Sequence, residues 1–198
     1  MSPDNGFDPL AEIAQGNFAN REELQGVNLR VLTPFQRALL VIDGTVTRFI
    51  EAYTMEPVEI QRIRQDVCAP RDEHRWLGTG SSSEIMEREV LIRGGYSGTL
   101  YVYAISHVLT GRLSPRIRDR LEVQGEGIGR IFEDEKLETR REVLWFGRER
   151  LKALPAALEP EGQTEFISRA YRIIVGGHPV VLINERFPVS LRRIPAHH

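Results

Sequence analysis

Apolar positions along the chain recur with two different periods, and the changes from one to the other mark out its elements. Phe35, Ala38, Leu39 and Ile42 fall at helical spacing behind Thr33-Pro34, an N-cap followed by proline at the first helical position. This predicts a helix over 34–42. Asp43-Gly44 breaks it, and Val46, Phe49, Ile50 and Tyr53 then repeat the i, i+3, i+4, i+7 pattern, so a second amphipathic helix completes an αα-hairpin. From Pro57 the period becomes two. Val58 and Ile60 alternate with Glu59 and Gln61 in a strand that ends near Ala69-Pro70. Residues 85–93 and 100–109 read as strands joined through Gly94-Gly95-Tyr96-Ser97-Gly98. Ser114-Pro115 opens a short helix to about Val123, and a brief helix is expected over 130–135. Further strands are predicted over 138–146, 166–175 and 180–187. The last two are joined through Gly176-Gly177, which suits the positive φ angles of a tight type I′ turn.

Six strands, mostly joined as hairpins with helices between the groups, indicate an α+β domain around an antiparallel sheet. Residues 1–31 read as an irregular leader, 32–190 as a single domain and 191–198 as a tail. At 198 residues, 41% hydrophobic and 27% charged, the chain has the ordinary composition of a globular protein of one domain. No apolar run reaches the roughly 18–20 residues that span a bilayer, and the polar start lacks the pattern of a signal peptide. A cytoplasmic location with no membrane span is the expectation. Cys68 is the only cysteine, which rules out a disulfide within the chain. A net charge of −2 argues against nucleic acid as a partner. Arginine supplies nearly all the positive charge, the only lysines being Lys136 and Lys152.

Two strands carry charges where their pattern places apolar side chains. Met86, Arg88, Val90 and Ile92 share one face of the strand over 85–93, and Val181, Ile183, Glu185 and Phe187 share one face of the terminal strand. Arg169, flanked in the same register by Ile167, Tyr171 and Ile173, is a second inward guanidinium. Charges are rarely buried unpaired, because desolvation costs several kcal/mol. Two readings stand: an internal Arg88–Glu185 ion pair, or a pocket that receives a small anionic ligand. Other motifs are weaker. The glycines over 125–129 lack the strand, lysine and helix of a phosphate loop, and serve either as a helix connection or as a loop whose backbone can approach a ligand. His74, His107 and His178 are scattered, and Ser81-Ser82-Ser83 lacks a nucleophile elbow. No metal site and no cofactor are expected.

Several stretches, taken in order, resemble the bacterial and cyanobacterial branch of the chorismate pyruvate-lyase family. They are Leu32-Thr33-Pro34-Phe35-Gln36-Arg37, Asp43-Gly44-Thr45-Val46-Thr47-Arg48-Phe49, Glu87-Arg88-Glu89-Val90-Leu91-Ile92-Arg93-Gly94, Gly127-Ile128-Gly129-Arg130, and Gly177-His178-Pro179 running to Asn184-Glu185-Arg186-Phe187-Pro188. The resemblance implies a six-stranded antiparallel sheet with helices on one side and helical flaps over a buried pocket. It implies a cofactor-independent lyase that converts chorismate to 4-hydroxybenzoate and pyruvate. The family's arginine for the ring carboxylate maps onto Arg88, and its glutamate at the opposite end of the ring maps onto Glu185. Its backbone contacts map onto Thr45, Val90 and Ile128. Arg169 or backbone N–H groups would receive the enolpyruvyl carboxylate.

Two departures bear on the substrate. Tyr103-Ala104-Ile105 stands where the enteric branch has Ala-Gly-Arg, and Thr45 replaces a methionine of the first flap. Two alternatives remain beside the lyase: a non-catalytic sensor of small aromatic acids, as in effector domains of related fold, and a lyase or isomerase for another chorismate-derived acid. A sensor of that kind normally carries a helix-turn-helix module, and the residues before the first clear helix are too few for one. The sequence does not specify an oligomeric state.

Overall fold

Thr33 starts helix α1 (Pro34–Val41) with bonds in both directions. Its hydroxyl accepts from the Gln36 N–H at 3.2 Å, and the Gln36 side chain accepts from the Thr33 N–H at 3.0 Å. Helix α2 (Val46–Thr54) follows after a short turn and stops at Met55, which takes a left-handed φ of 58°. The rings of Phe35, Phe49 and Tyr53, with centroids 4.4–6.0 Å apart, hold the two helices together as the predicted hairpin. The structure, a computed structural model, describes residues 24–78, 83–123, 125–162 and 164–191. Most of the expected leader (1–23), Ser81 and Ser82 of the serine run, and the tail beyond Leu191 lie outside them.

The period-two segments form strands β2 (Val58–Cys68), β3 (Ile85–Gly94), β4 (Leu100–Val108), β5 (Thr139–Arg150), β6 (Glu165–Val175) and β7 (His178–Pro188). A two-residue strand, β1 (Leu24–Gln25), adds an edge that its length kept out of the sequence reading. The sheet is antiparallel throughout, in the order β1-β5-β6-β7-β4-β3-β2. Gly176 and Gly177, at φ 55° and 84°, turn β6 into β7. Helices α3 (Pro115–Glu122) and α4 (Ile128–Asp134) connect β4 to β5. Strand β5 runs beyond the predicted end at 146, and α4 starts two residues earlier than its polar face suggests.

The four α-helices of the described residues pack on one face of the sheet. Leu39, Val46 and Ile50 meet Val90, Ile92 and Phe187, while Ile117, Ile131 and Phe132 meet Tyr171, Ile173 and Ile183. The opposite face is covered by 3-10 segments, whose Leu77 and Leu158 pack on Ile85, Leu182, Leu91 and Phe166. Between these apolar patches the opposite face carries a buried ionic layer. Glu87 accepts from Arg64, from Arg71 at 2.6 Å and faces His107 at 3.1 Å. Glu89 accepts from the Tyr103 hydroxyl at 2.6 Å, and Arg186 bonds Glu149 through two nitrogens, each at 3.0 Å. Burial opposes ionisation of Glu87, yet the His107 bond and the Arg71 and Arg64 charges lower its pKa.

A second polar knot fixes the β3–β4 hairpin to the end of α2. Buried Glu56 accepts from the Tyr96 and Ser97 N–H groups at 3.1 and 3.0 Å, and from the Ser97 and Tyr101 hydroxyls. Burial would raise its pKa, but these bonds outweigh burial and hold the carboxyl down at about 2. A Cβ on Gly94 would sit 2.3 Å from a Glu56 oxygen, so only glycine fits there. Glu56→Ala is expected to lose about 2–4 kcal/mol of stability at neutral pH. The depressed folded pKa puts this stabilisation above the unfolded value of about 4.3. The difference between wild type and variant in urea melts should therefore shrink as pH falls from there toward 2. A difference constant over that range would contradict the account.

Candidate active site

The helix-covered face of β3 presents Arg88, Val90 and Ile92, and across from them β4 presents Ala104 and Ser106. Ala104 lies opposite Val90 on one side and Glu185 of β7 on the other, while Ser106 lies between Arg88 and Ile183. These two short side chains hollow out the sheet between the inward arginine and the inward glutamate. Their Cα atoms, two strands and two residues apart, are about 12 Å from each other on ideal strand spacings. A cavity of about 70 Å³ fills the gap. That is several times the roughly 10–15 Å³ needed to admit one water, so the cavity has room for a small ligand.

Two segments roof this cavity: the α1–α2 connection with Thr45, and the start of α4 with Gly127, Ile128 and Gly129. The Thr45 hydroxyl donates to Glu133 of α4, which also pairs with Arg48 at 2.8 Å. The glycines let the roof close tightly: a Cβ on Gly127 would come within 2.9 Å of the Ile60 side-chain tip, and one on Gly129 within 3.1 Å of Thr45, so each neighbour would have to shift. A polar recess of about 240 Å³ adjoins the cavity, sharing Thr47, Ile60, Gly127 and Arg130 with it.

Arg88 is 2% exposed and has no carboxylate within ion-pair distance among the described residues. Its Nη2 donates to the Glu126 carbonyl, and its buried Nε has no partner. Burial, with the nearby Arg62 charge adding to it, pulls the guanidinium pKa down to about 10. It remains a cation at neutral pH, lining the cavity with no carboxylate in direct contact among the described residues.

Glu185 takes Arg169, rather than Arg88, as its ionic partner. The two stand directly opposite each other on β6 and β7, with Arg169 Nε 2.8 Å from one carboxylate oxygen and the Tyr171 hydroxyl 3.0 Å from the other. Burial, reinforced by the Glu185 charge, raises the Tyr171 pKa and keeps its proton available for that bond. Arg169 is 1% exposed and donates from Nη1 to the Ile42 carbonyl at 2.9 Å, so it ties the end of α1 to the sheet. It does not line the cavity, because the two bonds draw its guanidinium behind Glu185 toward the helix. The expected internal Arg88–Glu185 pair is thus replaced by Arg169–Glu185, leaving Arg88 alone.

Of the residues singled out in the sequence, Arg88, Glu185, Thr45, Val90 and Ile128 all line the cavity. Tyr171, Ser106 and Arg141 also line it and were not foreseen as site residues. Among the described residues, no group of three His, Cys, Asp or Glu side chains is arranged to hold a metal ion. None of the helices there is long and apolar enough to cross a membrane.

The chain is 28% identical over 183 residues to the chorismate pyruvate-lyase of Mycobacterium tuberculosis, covering 88% of this chain and 89% of that protein. Among solved structures, the effector domain of PhnF from Mycobacterium smegmatis aligns with a TM-score of 0.60 at 11% identity, over 75% of this chain and 90% of that one. The possible transcriptional regulator YydK from Bacillus subtilis aligns with a TM-score of 0.53 at 15% identity over 72% of this chain. The match spans 63% of YydK, less than two thirds of its length. These structural likenesses concern the fold alone. Residues 40–195 match the family described as chorismate pyruvate-lyase Rv2949c-like, and the chain belongs to that family.

Proposed function

We propose that this protein is a chorismate pyruvate-lyase, splitting chorismate into 4-hydroxybenzoate and pyruvate without a cofactor. The observation that carries the reading is the buried Arg88, with no carboxylate in direct contact among the described residues, facing Glu185 across a cavity with room for a small ligand. Arg88 receives the ring carboxylate, the one partner that would relieve its burial. The ring then lies over Ala104 and Ser106 with its far end at Glu185, under Thr45, Val90 and Ile128.

In the reaction the ether C–O bond at ring C3 breaks, the C4 hydrogen leaves as a proton, and the ring becomes aromatic. The departing enol gains a proton at its methylene carbon and becomes pyruvate. Aromatisation drives the step downhill, so the site's work is to orient the ring and handle one proton. A carboxylate held between a guanidinium and a phenol O–H offers lone pairs, so Glu185 orients the C4 end or accepts its proton rather than donating one.

Purified protein, dialysed exhaustively against chelator, is expected to convert chorismate into equal amounts of 4-hydroxybenzoate and pyruvate, followed by chromatography and a coupled pyruvate assay. Activity that returned only on adding metal would overturn the cofactor-independent mechanism. Tight binding of 4-hydroxybenzoate with chorismate left intact would mark a binding protein instead.

A further inference from the structure

Chorismate carries two carboxylates, and Arg88 accounts for one. We infer that Arg141 receives the second carboxylate of a dianionic ring substrate, from the side of Glu185 away from Arg88. The inference rests on the proposed lyase reading and names a residue that the sequence did not single out.

Arg141 lies on β5 and lines the same cavity as Arg88 and Glu185. Its side chain is 13% exposed, and its Nε is buried with no hydrogen-bond partner. The carboxylate nearest to it among the described residues is Asp43, 3.8 Å from Nη1 and itself 79% exposed. A contact that long to a solvated acid does little to satisfy a buried guanidinium. The protein therefore holds two under-satisfied arginines on one cavity.

Their placement matches a diacid. Across the sheet the order is Arg88 on β3, Glu185 on β7, then Arg141 on β5, four strands from Arg88 and offset by two residues in register. Ideal strand spacings put the two arginine Cα atoms about 20 Å apart. Two long side chains reaching inward from that span leave room between them for one ring and a short side arm. Arg169 does not line the cavity: Glu185 holds its Nε and the Ile42 carbonyl its Nη1, which leaves its one unbonded nitrogen, Nη2, behind Glu185. Arg130 also borders the cavity, but it sits on the solvent-exposed side of α4 at the rim.

The test uses two aromatic ligands that need no turnover: 4-hydroxybenzoate, and 3-(carboxymethoxy)-4-hydroxybenzoate, which adds only the ether carboxylate. Calorimetric Kd values are compared for wild type, Arg141→Ala, Arg141→Lys and Arg130→Ala, with melting curves for each. Arg141→Ala should weaken the diacid by roughly 10- to 100-fold, the scale of one charge-assisted contact, and the monoacid by less than about threefold. Arg141→Lys should recover part of the diacid affinity. If the folded Arg141 variants bind the diacid as tightly as wild type, if both ligands weaken equally, or if the selective loss appears in Arg130→Ala instead, the assignment is overturned. Should wild type prefer the diacid through Arg141 yet leave chorismate intact, the lyase reading fails while the assignment of Arg141 stands. Wild type that binds neither ligand overturns both.

Discussion

Arg88→Met should melt at a higher temperature than wild type and yet be nearly inactive on chorismate. The guanidinium is buried, its Nε is unbonded, and no carboxylate among the described residues pairs with it directly, so the Glu126 carbonyl and the Glu122 and Glu126 charges offset only part of its desolvation. A methionine of similar length removes that charge, and the one bond lost is to the carbonyl of Glu126, a partly buried residue. The expected gain is on the order of 1–2 kcal/mol. It should begin to shrink only as pH rises above about 10, the depressed value in the fold, and disappear only at the higher pH where an unfolded arginine also loses its charge. Turnover moves the opposite way: losing the charge-assisted contact to the ring carboxylate should lower kcat/KM by about a hundredfold or more. Urea melts and steady-state kinetics on this one variant read both quantities. A less stable protein with near-normal kinetics would show Arg88 to be structural.

Glu185→Gln is expected to lose both turnover and stability, for separable reasons. The amide keeps the size of the side chain but leaves Arg169 buried opposite a neutral group, which should cost roughly 2–4 kcal/mol. Removing the one carboxylate that lines the cavity among the described residues should slow the chemical step by about a hundredfold or more in single-turnover experiments on folded protein. Arg169→Lys supplies the control. It retains a positive charge behind Glu185 but loses the planar fork and with it the bond to Ile42, so it too should melt lower while keeping turnover within about tenfold. Equal rate losses in the two variants would mean that Glu185 acts only through the ion pair.

The elements of this fold were legible because their signals are local. Thr33-Pro34 marks α1, Gly176-Gly177 marks the last hairpin, and simple alternation puts Arg88 and Glu185 on the buried face. The partner of each charge was not legible. Pairing depends on strand order, and β4 comes between β3 and β7 while β6 lies directly beside β7, so Arg169 reaches Glu185 and Arg88 does not. Arg141 escaped notice because its neighbours Arg140 and Glu142 give no apolar alternation, and β5 changes register between Val143 and Trp145. The sequence pattern places the end of β5 near 146, short of its observed end at Arg150, for a related reason. Glu149 and Arg148 look like a solvated loop, but Glu149 is buried against Arg186 in the ionic layer, where polarity does not signal exposure.

That ionic layer bears on how the chain avoids assembling the wrong sheet. Arg88 lies between Glu87 and Glu89, whose side chains point to the opposite face. Were β3 to slide by a single residue along β4, Arg88 would enter the ionic layer and both glutamates would turn beneath the apolar helices. There they would be separated from Arg64, Arg71, His107 and Tyr103, and each stranded carboxylate would cost several kcal/mol. The alternating charges of β3 thus act as a built-in error check on folding, in which the alignment that opens the cavity is also the only neighbouring one in which every acid on this strand finds its base.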